Sequence, residues 1–338
     1  MIQGAIQSLL DGRDLSRDDA RTVMGEIMEG EATAAQIGGF LVALRGKGET
    51  ADEIAGCAEA MRAHVLPVSP ARLDVVDVVG TGGDGARTFN ISTTAAIVAA
   101  AAGAGVAKHG NRAVSSVSGS ADVLEALGLV LEQPPERIAE SIDTLGFGFM
   151  FAPLHHPAMR HAAPVRRELG TRTIFNVLGP LTNPAGARAG VFGVYSAPVA
   201  RTVADALAVL DSRRAFVVHG ANGIDELSPA GLNLVLEVVE GDVRERVLDP
   251  VELGISPSDP GELAGGTPEE NARTAREILS AADGAKRDAV LLNAAGAIAA
   301  AGHAVDLREG LDLAREAIDS GRAARRLEEL VAFSRESA

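Results

Sequence analysis

One feature constrains this chain more than any other: a β-branched run that breaks into a glycine-rich turn. Val75-Val76-Asp77-Val78-Val79 leads directly into Gly80-Thr81-Gly82-Gly83-Asp84-Gly85. A short apolar run of this kind, bounded by a turn signal, reads as a buried strand. A small-residue helix follows, from about Ser92 to Ala102, and then a second short strand, Gly105-Val106-Ala107-Lys108. Strand, glycine turn, helix and strand make a βαβ unit, which implies a parallel sheet. Sites in such sheets open at the carboxyl ends of the strands, where both the glycine turn and Lys108 fall.

The preceding 65 residues read differently, as helices only. Ser16-Arg17-Asp18-Asp19 is a capping-box-like start before Val23, Met24, Ile27 and Met28, and Ile37, Phe40, Leu41 and Leu44 form a second apolar stripe. Thr50-Ala51-Asp52-Glu53 is a full capping box ahead of Ile54, Cys57, Met61 and Val65, and Pro67 stops that helix. At roughly 150 residues per domain, 338 residues suggest two domains. We expect a small all-helical domain over 1–67, a boundary at Pro67–Leu73, and a large α/β domain over 74–338 with a central, mostly parallel sheet. Within it, helices should begin near Ser120 (with Ser120 as a candidate cap) and Pro135, and another should run from about Ala197 to Leu210 into the strand Ala215–Val218. Leu234–Val239 and Val243–Leu248 read as a hairpin around Glu240-Gly241-Asp242. Thr267-Pro268-Glu269-Glu270 is a capping box with Pro at the first helical position, and the last 30 residues read as charged helix.

Composition removes several functional classes. The 31 basic and 46 acidic residues give a net charge of −15, and aromatics make up only 3% with no Trp. A general nucleic-acid or anionic-membrane binder needs a basic face, and a base-stacking surface needs aromatic rings. The longest apolar stretches, Ala95–Ala107 and Val290–Ala301, fall short of the ~20 residues of a membrane span and are rich in Ala and Gly, so they read as tightly packed core. The amino terminus has no basic region before an apolar one and does not read as a signal peptide. The single cysteine, Cys57, sits on a helical apolar stripe, reads as a buried thiol, and fits a reducing cytoplasmic setting.

The glycine turn matches G-x-G-x-x-G, yet a dinucleotide site should carry an acid about 20 residues later, and none occurs between Gly85 and Ala121. The P-loop pattern is absent as well. What the segment suits is a phosphate. Glycines let main-chain N–H groups converge on oxygens, and Asn90, Ser92, Thr93 and Thr94 lie at the start of a helix whose dipole favours an anion. Residues 85–121 carry Arg87, Lys108 and Arg112 and no acid, a local positive funnel in an acidic chain.

Three further clusters carry chemistry. In the run from Lys108 to Asp122, Lys108 ends a strand beside Arg112, and Ser115, Ser116, Ser118 and Ser120 supply hydroxyl donors, a second phosphate site. In the run from Met159 to Gly170, either Arg166 or Arg167 could hold a carboxylate through paired N–H donors. His155, His156 and His161 lack helical ligand spacing and an acidic partner, so a metal role for them is disfavoured. In Val217–Ser228 a strand ends in a glycine-flanked Asp225-Glu226 pair, apt ligands for Mg²⁺ bridging to a substrate phosphate.

Taken together, these clusters resemble the anthranilate phosphoribosyltransferase family. The matching segments are GTGGDGARTFNIST (80–93), KHGNRAVSSVSGSADVLEALG (108–128), HPAMRHAAPVRRELGTRTIFNVLGPLTNP (156–184), VHGANGIDELS (218–228), TPEENA (267–272) and LLNAA (291–295), in family order. The resemblance implies a nucleoside phosphorylase/phosphoribosyltransferase-like fold, its helical domain joined by helices from about 160–190, and a homodimer formed through that domain. It implies that phosphoribosyl pyrophosphate is bound by Gly80, Gly83, Asp84, Thr88, Asn90, Ile91, Ser92 and Thr93, and by Lys108, His109, Gly110, Asn111, Arg112, Ala113, Val114, Ser115, Ser116 and Ser120. Two Mg²⁺ ions are implied, one touching Ser92 and one held by Asp225 and Glu226. Gly80, Asn111 and Arg166 are implied to face anthranilate, with Lys108 and Asp84 stabilising the transition state. The implied reaction is attack of the anthranilate amine on C1 of the ribose with loss of pyrophosphate, a step of tryptophan biosynthesis that needs no identified general base.

Overall fold

The computed structural model describes residues 1–113 and 117–336, so Val114, Ser115 and Ser116 of the implied phosphate cradle lie outside the described residues. The chain opens with four helices: α1 (Ile2–Leu10), α2 (Arg17–Glu29), α3 (Ala34–Lys47) and α4 (Ala51–Ala63). Three of the starts are capped by hydroxyls. Ser16 accepts from the Asp19 N–H, and complete capping boxes form at Thr33/Gln36 and Thr50/Glu53. The first of those two boxes was not apparent from the sequence. Glu53 does more than cap. It is fully buried, and besides the Thr50 N–H (2.8 Å) it accepts from the Leu15 N–H (2.9 Å) and from Lys47 Nζ (3.0 Å), tying the α1–α2 linker and the end of α3 to the start of α4. Cys57 is buried where α4 meets α2, and burial pushes its thiol far up, so it is inert.

The rest of the chain builds a seven-stranded sheet in the order β3-β2-β1-β4-β5-β6-β7. Strand β1 (Val75–Gly80) leads through the glycine turn to α5 (Ile91–Ala101) and β2 (Gly105–Gly110). After α6 (Ser120–Leu127) and α7 (Pro135–Leu145) comes β3 (Phe147–Phe151). The chain then runs through the short helices α8 (Ala152–His155), α9 (Ala163–Leu169) and α10 (Phe175–Leu181) to β4 (Ala189–Gly193), and through α11 (Ala197–Val209) to β5 (Arg214–His219). Strands β1 to β5 are parallel. The expected hairpin, β6 (Asn233–Val239) and β7 (Asp242–Leu248), extends the sheet antiparallel to β5. Helices α12 (Pro268–Leu279), α13 (Ala285–Ala301), α14 (Leu307–Asp319) and α15 (Arg322–Arg335) complete the chain.

Strands β3 and β4 are the two that the sequence did not disclose. FGFMF and AGVFG are each five residues, wholly buried and interrupted by glycine. A strand buried on both faces shows no alternation, and runs this short cannot be told from core helix or loop by pattern. Their placement sets the site. The chain leaves β1 for β2 and β3 on one side, then returns to β4 and β5 on the other, so the order reverses between β1 and β4. A crevice opens at the carboxyl ends of strands at such a reversal.

Two apolar layers cover the sheet. On one face α5 and α13 pack against the strands and each other, buried on nearly all sides. The alanine stretches noted in the sequence form the last turns of α5 with the start of β2, and the second half of α13. On the other face α11 joins α1–α4 and residues Ala162, Val165, Phe175 and Leu178 in one cluster. Arg62 of α4 donates from Nε to the Leu181 carbonyl of α10 (2.8 Å), and Arg45 of α3 donates to the Arg172 carbonyl. Among the described residues, no helix is long and apolar enough to cross a membrane.

Replacing Glu53 by Ala should lower the unfolding free energy by about 3 kcal/mol, because the Lys47 ammonium and the Leu15 N–H lose their buried acceptor. Urea titration of the variant measures this, and a loss under about 1 kcal/mol would mean that water replaces the carboxylate.

Candidate active site

A cavity of about 750 Å³ opens over the carboxyl ends of β1 and β2, bordered by the segments that follow β3 and β5. Its first wall is the glycine turn. Gly82, Gly83 and Gly85 all have left-handed backbones (φ 67°, 73° and 79°), which curl the chain so that successive N–H groups face the cavity. Gly80 is constrained differently. A Cβ there would strike the Asp225 carboxylate, and a Cβ at Gly193, its neighbour on β4, would strike the Asp225 main chain. The turn is held from outside the unit. Phe89 N–H donates to the Leu263 carbonyl (3.0 Å), Gly265 N–H donates to that of Arg87 (2.9 Å), and Arg172 donates to the Gly83 carbonyl while stacking 4.1 Å over Tyr195.

The second wall is the amino end of α5. Asn90 precedes the helix but caps none of its N–H groups. Its Oδ1 instead accepts from Asn271 Nδ2 (2.9 Å) and Ser118 Oγ (3.1 Å), and its Nδ2 donates to the Ser118 carbonyl (3.2 Å). The first turn is therefore left open to the cavity, where Ser92 and Thr93 line it. Thr94 turns away and donates to the Asn90 carbonyl (3.0 Å), and Ile91 is buried in the core rather than in the cavity wall. Every other described residue of the implied site, from Gly80 to Glu226, lines the cavity.

Lys108 lies on the floor, only 2% exposed, donating to the Val78 carbonyl at 2.5 Å and to Ser92 Oγ at 3.4 Å. Beneath it is Asp77, which the sequence reading passed over as a strand residue. Asp77 is fully buried and accepts from the Val78 N–H (2.8 Å), the His109 N–H (3.3 Å) and Asn183 Nδ2 (2.7 Å). Burial raises its carboxyl to about 6, against the pull of Lys108 and these hydrogen bonds. Burial also lowers the Lys108 ammonium, while Asp77, Glu226 and Asp225 hold it up.

The positive funnel needs correcting. The segment 85–121 is acid-free in sequence, but the fold brings acids to its cations. Arg112 is bound by Glu125 (2.8 Å through Nη2) and lies near Asp122 (3.2 Å), and Lys108 has the carboxylates just named. Ser120 is not the cap of α6. That position is Gly119, and Asp122 accepts the N–H groups of Gly119 (2.8 Å) and Ala113 (2.9 Å), while Ser120 Oγ donates to the Asn111 carbonyl (3.3 Å).

The carboxylate pair sits opposite the two amide walls. Asp225 Oδ2 accepts from the Gly82 N–H (2.6 Å), Glu226 Oε1 accepts from the Ser92 N–H (3.2 Å), and Asp84 Oδ2 accepts from the Asp225 N–H (3.3 Å). Burial first, and then the charge of Asp84, push Asp225 upward; burial and the charge of Asp225 do the same to Glu226. Asp84, Asp225 and Glu226 thus crowd one corner, and the charges of Asp225 and Glu226 act on Lys108. A hard divalent ion fits this donor set, and its remaining ligands would be phosphate oxygens and water. Among the described residues no group of three or more His, Cys, Asp or Glu is placed to hold a metal ion by itself.

The far end of the cavity is apolar and cationic, lined by Met159, Ala163, Phe175 and Pro180. Arg166 is half-buried there, its guanidinium 5.0 Å from the Phe175 ring, with no carboxylate partner among the described residues. Arg167 is exposed and outside the lining. His109 and His156 lie beside Arg166 with ring centroids 4.9 Å apart. His109 Nδ1 lies 3.3 Å from the Gly179 carbonyl, and the Nε2 atoms of both rings are buried without a partner among the described residues. Burial, then the charge of His156, lowers His109 to about 3, and burial, then the charge of His155, lowers His156 to about 4, so both are neutral hydrogen-bonding groups. His155 is a structural tie, its Nδ1 2.9 Å from the Leu66 carbonyl. Asn271 and Arg172 escaped sequence reasoning, although both fall in the quoted segments, and His156 was weighed there only as a disfavoured metal ligand.

The chain matches two family models, the helical bundle domain of a glycosyl transferase family over residues 3–65 and its a/b domain over 72–324. It is 55% identical over 334 residues to the anthranilate phosphoribosyltransferase of Desulforudis audaxviator, covering 99% of this chain and 96% of that protein. The crystal structure of anthranilate phosphoribosyltransferase from Thermus thermophilus superposes with a TM-score of 0.93 at 51% identity, covering 98% of this chain and 99% of that one. The enzyme from Saccharomyces cerevisiae in complex with PRPP and Mg superposes with a TM-score of 0.90 at 31% identity, covering 99% of this chain and 98% of that one.

Proposed function

The chain belongs to the anthranilate phosphoribosyltransferase family, and from that membership we infer that it transfers phosphoribosyl from 5-phosphoribosyl 1-pyrophosphate to the amine of anthranilate, releasing pyrophosphate, in tryptophan biosynthesis. It is a pentosyltransferase, and it uses Mg²⁺. One observation carries the assignment to this cavity: a single space joins an end built of main-chain N–H donors, Lys108 and carboxylates to an apolar end with an arginine that no carboxylate among the described residues engages. A diphosphorylated sugar suits the first, and an aromatic carboxylate suits the second.

We assign the phosphate groups to the N–H groups of the glycine turn around Gly80, Gly83 and Asp84, to Thr88 and Asn90–Thr93 at the start of α5, and to Lys108–Ala113 and Ser120. Val114, Ser115 and Ser116, implied by the resemblance, lie outside the described residues. Asp225 and Glu226 would hold one Mg²⁺ and Ser92 would touch a second; the ions neutralise diphosphate charge. Arg166 takes the anthranilate carboxylate in the paired geometry that guanidinium favours, with Gly80 and Asn111 beside the ring. An aromatic amine is uncharged at neutral pH, so its lone pair is ready to attack C1 without prior deprotonation. The chain then acts by holding the amine and C1 in line and by meeting charge as it builds on the departing oxygen with Lys108 and fixed N–H dipoles. Asp84, bonded to the Ala86 and Asp225 N–H groups, keeps the turn in shape for that role. We also assign a helical domain of residues 1–67 joined by helices of about 160–190, hinged to 74–338, with a homodimer formed through the helical part and a cytoplasmic setting.

Incubation with phosphoribosyl pyrophosphate, Mg²⁺ and anthranilate should consume anthranilate fluorescence, and no turnover would sink the reading. Arg166→Ala should raise KM for anthranilate tenfold or more, since a charge-assisted paired contact is worth roughly 1.5–3 kcal/mol, while Arg167→Ala leaves it unchanged. The reverse result would reassign the carboxylate site. Asp225→Asn combined with Glu226→Gln should raise the Mg²⁺ concentration needed for half-maximal rate by about tenfold, read from a metal titration.

A further inference from the structure

We propose that Asn293, in the middle of α13, is the positioning residue for the Asp225–Glu226 pair, acting through a two-point clamp on the main chain of Leu227. The proposal rests on the reading of those carboxylates as Mg²⁺ ligands and adds a residue that never reaches the cavity.

Asn293 is fully buried in a helix that is otherwise almost wholly apolar along its second half. A carboxamide in such surroundings must find partners, since it carries both donors and an acceptor. Its Oδ1 accepts from the Leu227 N–H at 3.0 Å, and its Nδ2 donates to the Leu227 carbonyl at 2.8 Å and to the Ala289 carbonyl, one turn back in its own helix, at 2.9 Å. Both main-chain polar groups of the residue after Glu226 are thus satisfied by one side chain from an element 66 positions away. The Leu227 side chain is fully buried in the cluster that contains α13, so clamp and packing fix the same residue.

The carboxylate loop packs closely on Gly80, Gly193 and Gly220, contacts that set its height above the sheet but, among the described residues, supply no hydrogen bond to the main chain of Asp225 or Glu226. Its start is closed by the Gly220 N–H on the Ile224 carbonyl (2.8 Å), and its exit by Asn233, which grips Ser228 through a local turn. Between these points Asp225 and Glu226 bond to the glycine turn and to α5 by their side chains, the groups that must be free to take a metal. Register therefore has to come from the main chain, where the Asp225 N–H has a long bond to Asp84 (3.3 Å) and Asn293 holds both groups of the residue after Glu226. Without the clamp the Leu227 N–H and carbonyl would be buried and unpaired, and the loop would have to move toward solvent in the cavity, carrying Glu226 with it.

Asn293→Ser tests this. A serine hydroxyl in a helix can still bond to the carbonyl four residues back but cannot reach Leu227. Hydrogen exchange of the loop peptide should show lost protection at Leu227. Mn²⁺ affinity by calorimetry, with phosphoribosyl pyrophosphate present, should fall about fivefold, with a matching rise in half-saturating Mg²⁺ and in KM for phosphoribosyl pyrophosphate. KM for anthranilate should stay within about twofold, which a general loss of structure would not allow. If the serine variant does not fold, Asn293→Gln, whose longer arm shifts the clamp by one methylene, is judged by the same criteria. The double variant Asp225→Asn, Glu226→Gln is titrated in parallel. If it moves the metal titration and the Asn293 variant does not, the positioning role is overturned alone. If neither moves it, the metal reading falls and the positioning role with it.

Discussion

Two glycines on neighbouring strands allow one loop to cross the mouth of the sheet, and the site is arranged around that crossing. Gly80 ends β1, Gly193 ends β4, and the two are paired in register. The main chain and carboxylate of Asp225 lie so close above them that a methyl group at either position would lift the loop. Because the chain order reverses between these same two strands, the crossing occurs where the crevice opens. Asp225 then falls within reach of the Gly82 N–H and Glu226 within reach of the first turn of α5. The glycine signature that looks in sequence like a device for approaching a ligand is thus partly a device for approaching another loop of the same chain.

The electrostatics follow from that contact. A chain of net charge −15 must hold a diphosphate, and the simplest expectation is a cluster of free cations. The fold answers differently. Arg112 is taken up by Glu125, and Lys108 is buried among carboxylates. Arg87 and Arg160 line the cavity without an ion pair among the described residues, and of the N–H groups there, those of Gly82 and Ser92 bind Asp225 and Glu226. Those carboxylates are raised because burial and mutual repulsion disfavour their charge, so a divalent cation would be met by groups that gain by turning to it. Were they to turn, the Gly82 and Ser92 N–H groups would lose these acceptors.

How much of this could be read beforehand depended on whether a residue's role was local. The β1–turn–α5–β2 unit, the capping boxes at Thr50 and Thr267 and the β6–β7 hairpin were legible because their signals lie within a few residues of one another. Strands β3 and β4 were not, since two-sided burial erases alternation and glycine hides the β-branched bias. The cavity lining was largely legible because its residues come in tight clusters. The partners of those residues were not. Nothing near Lys108 announces Asp77, and nothing near Arg112 announces Glu125, because strand order and helix packing decide which charges meet. A usable signal did exist for Asn293: a lone carboxamide in an apolar helix, between Leu292 and Ala294, demands a buried partner.

Asn293 shares with Asn183, which lies in no helix, and with Asn271, on the polar helix α12, a logic that bears on how the site keeps its geometry. Asn183 joins Asp77 to the Ala107 carbonyl, Asn271 joins Asn90 to the Gly266 N–H, and Asn293 clamps Leu227. Each bridges a segment far away in sequence to a residue at or next to the cavity wall. A lysine or glutamate in these places would bind as firmly, but it would add a charge beside carboxylates, a metal and a diphosphate whose balance decides the chemistry. The carboxamide offers a donor and an acceptor with no net charge, so it can fix the backbone without altering the field. Catalysis that relies on alignment and on preset dipoles needs this kind of support, since small displacements of the donors weaken it steeply. The neutral stitching behind the wall is therefore as much a part of the machinery as the charged groups that face the substrate.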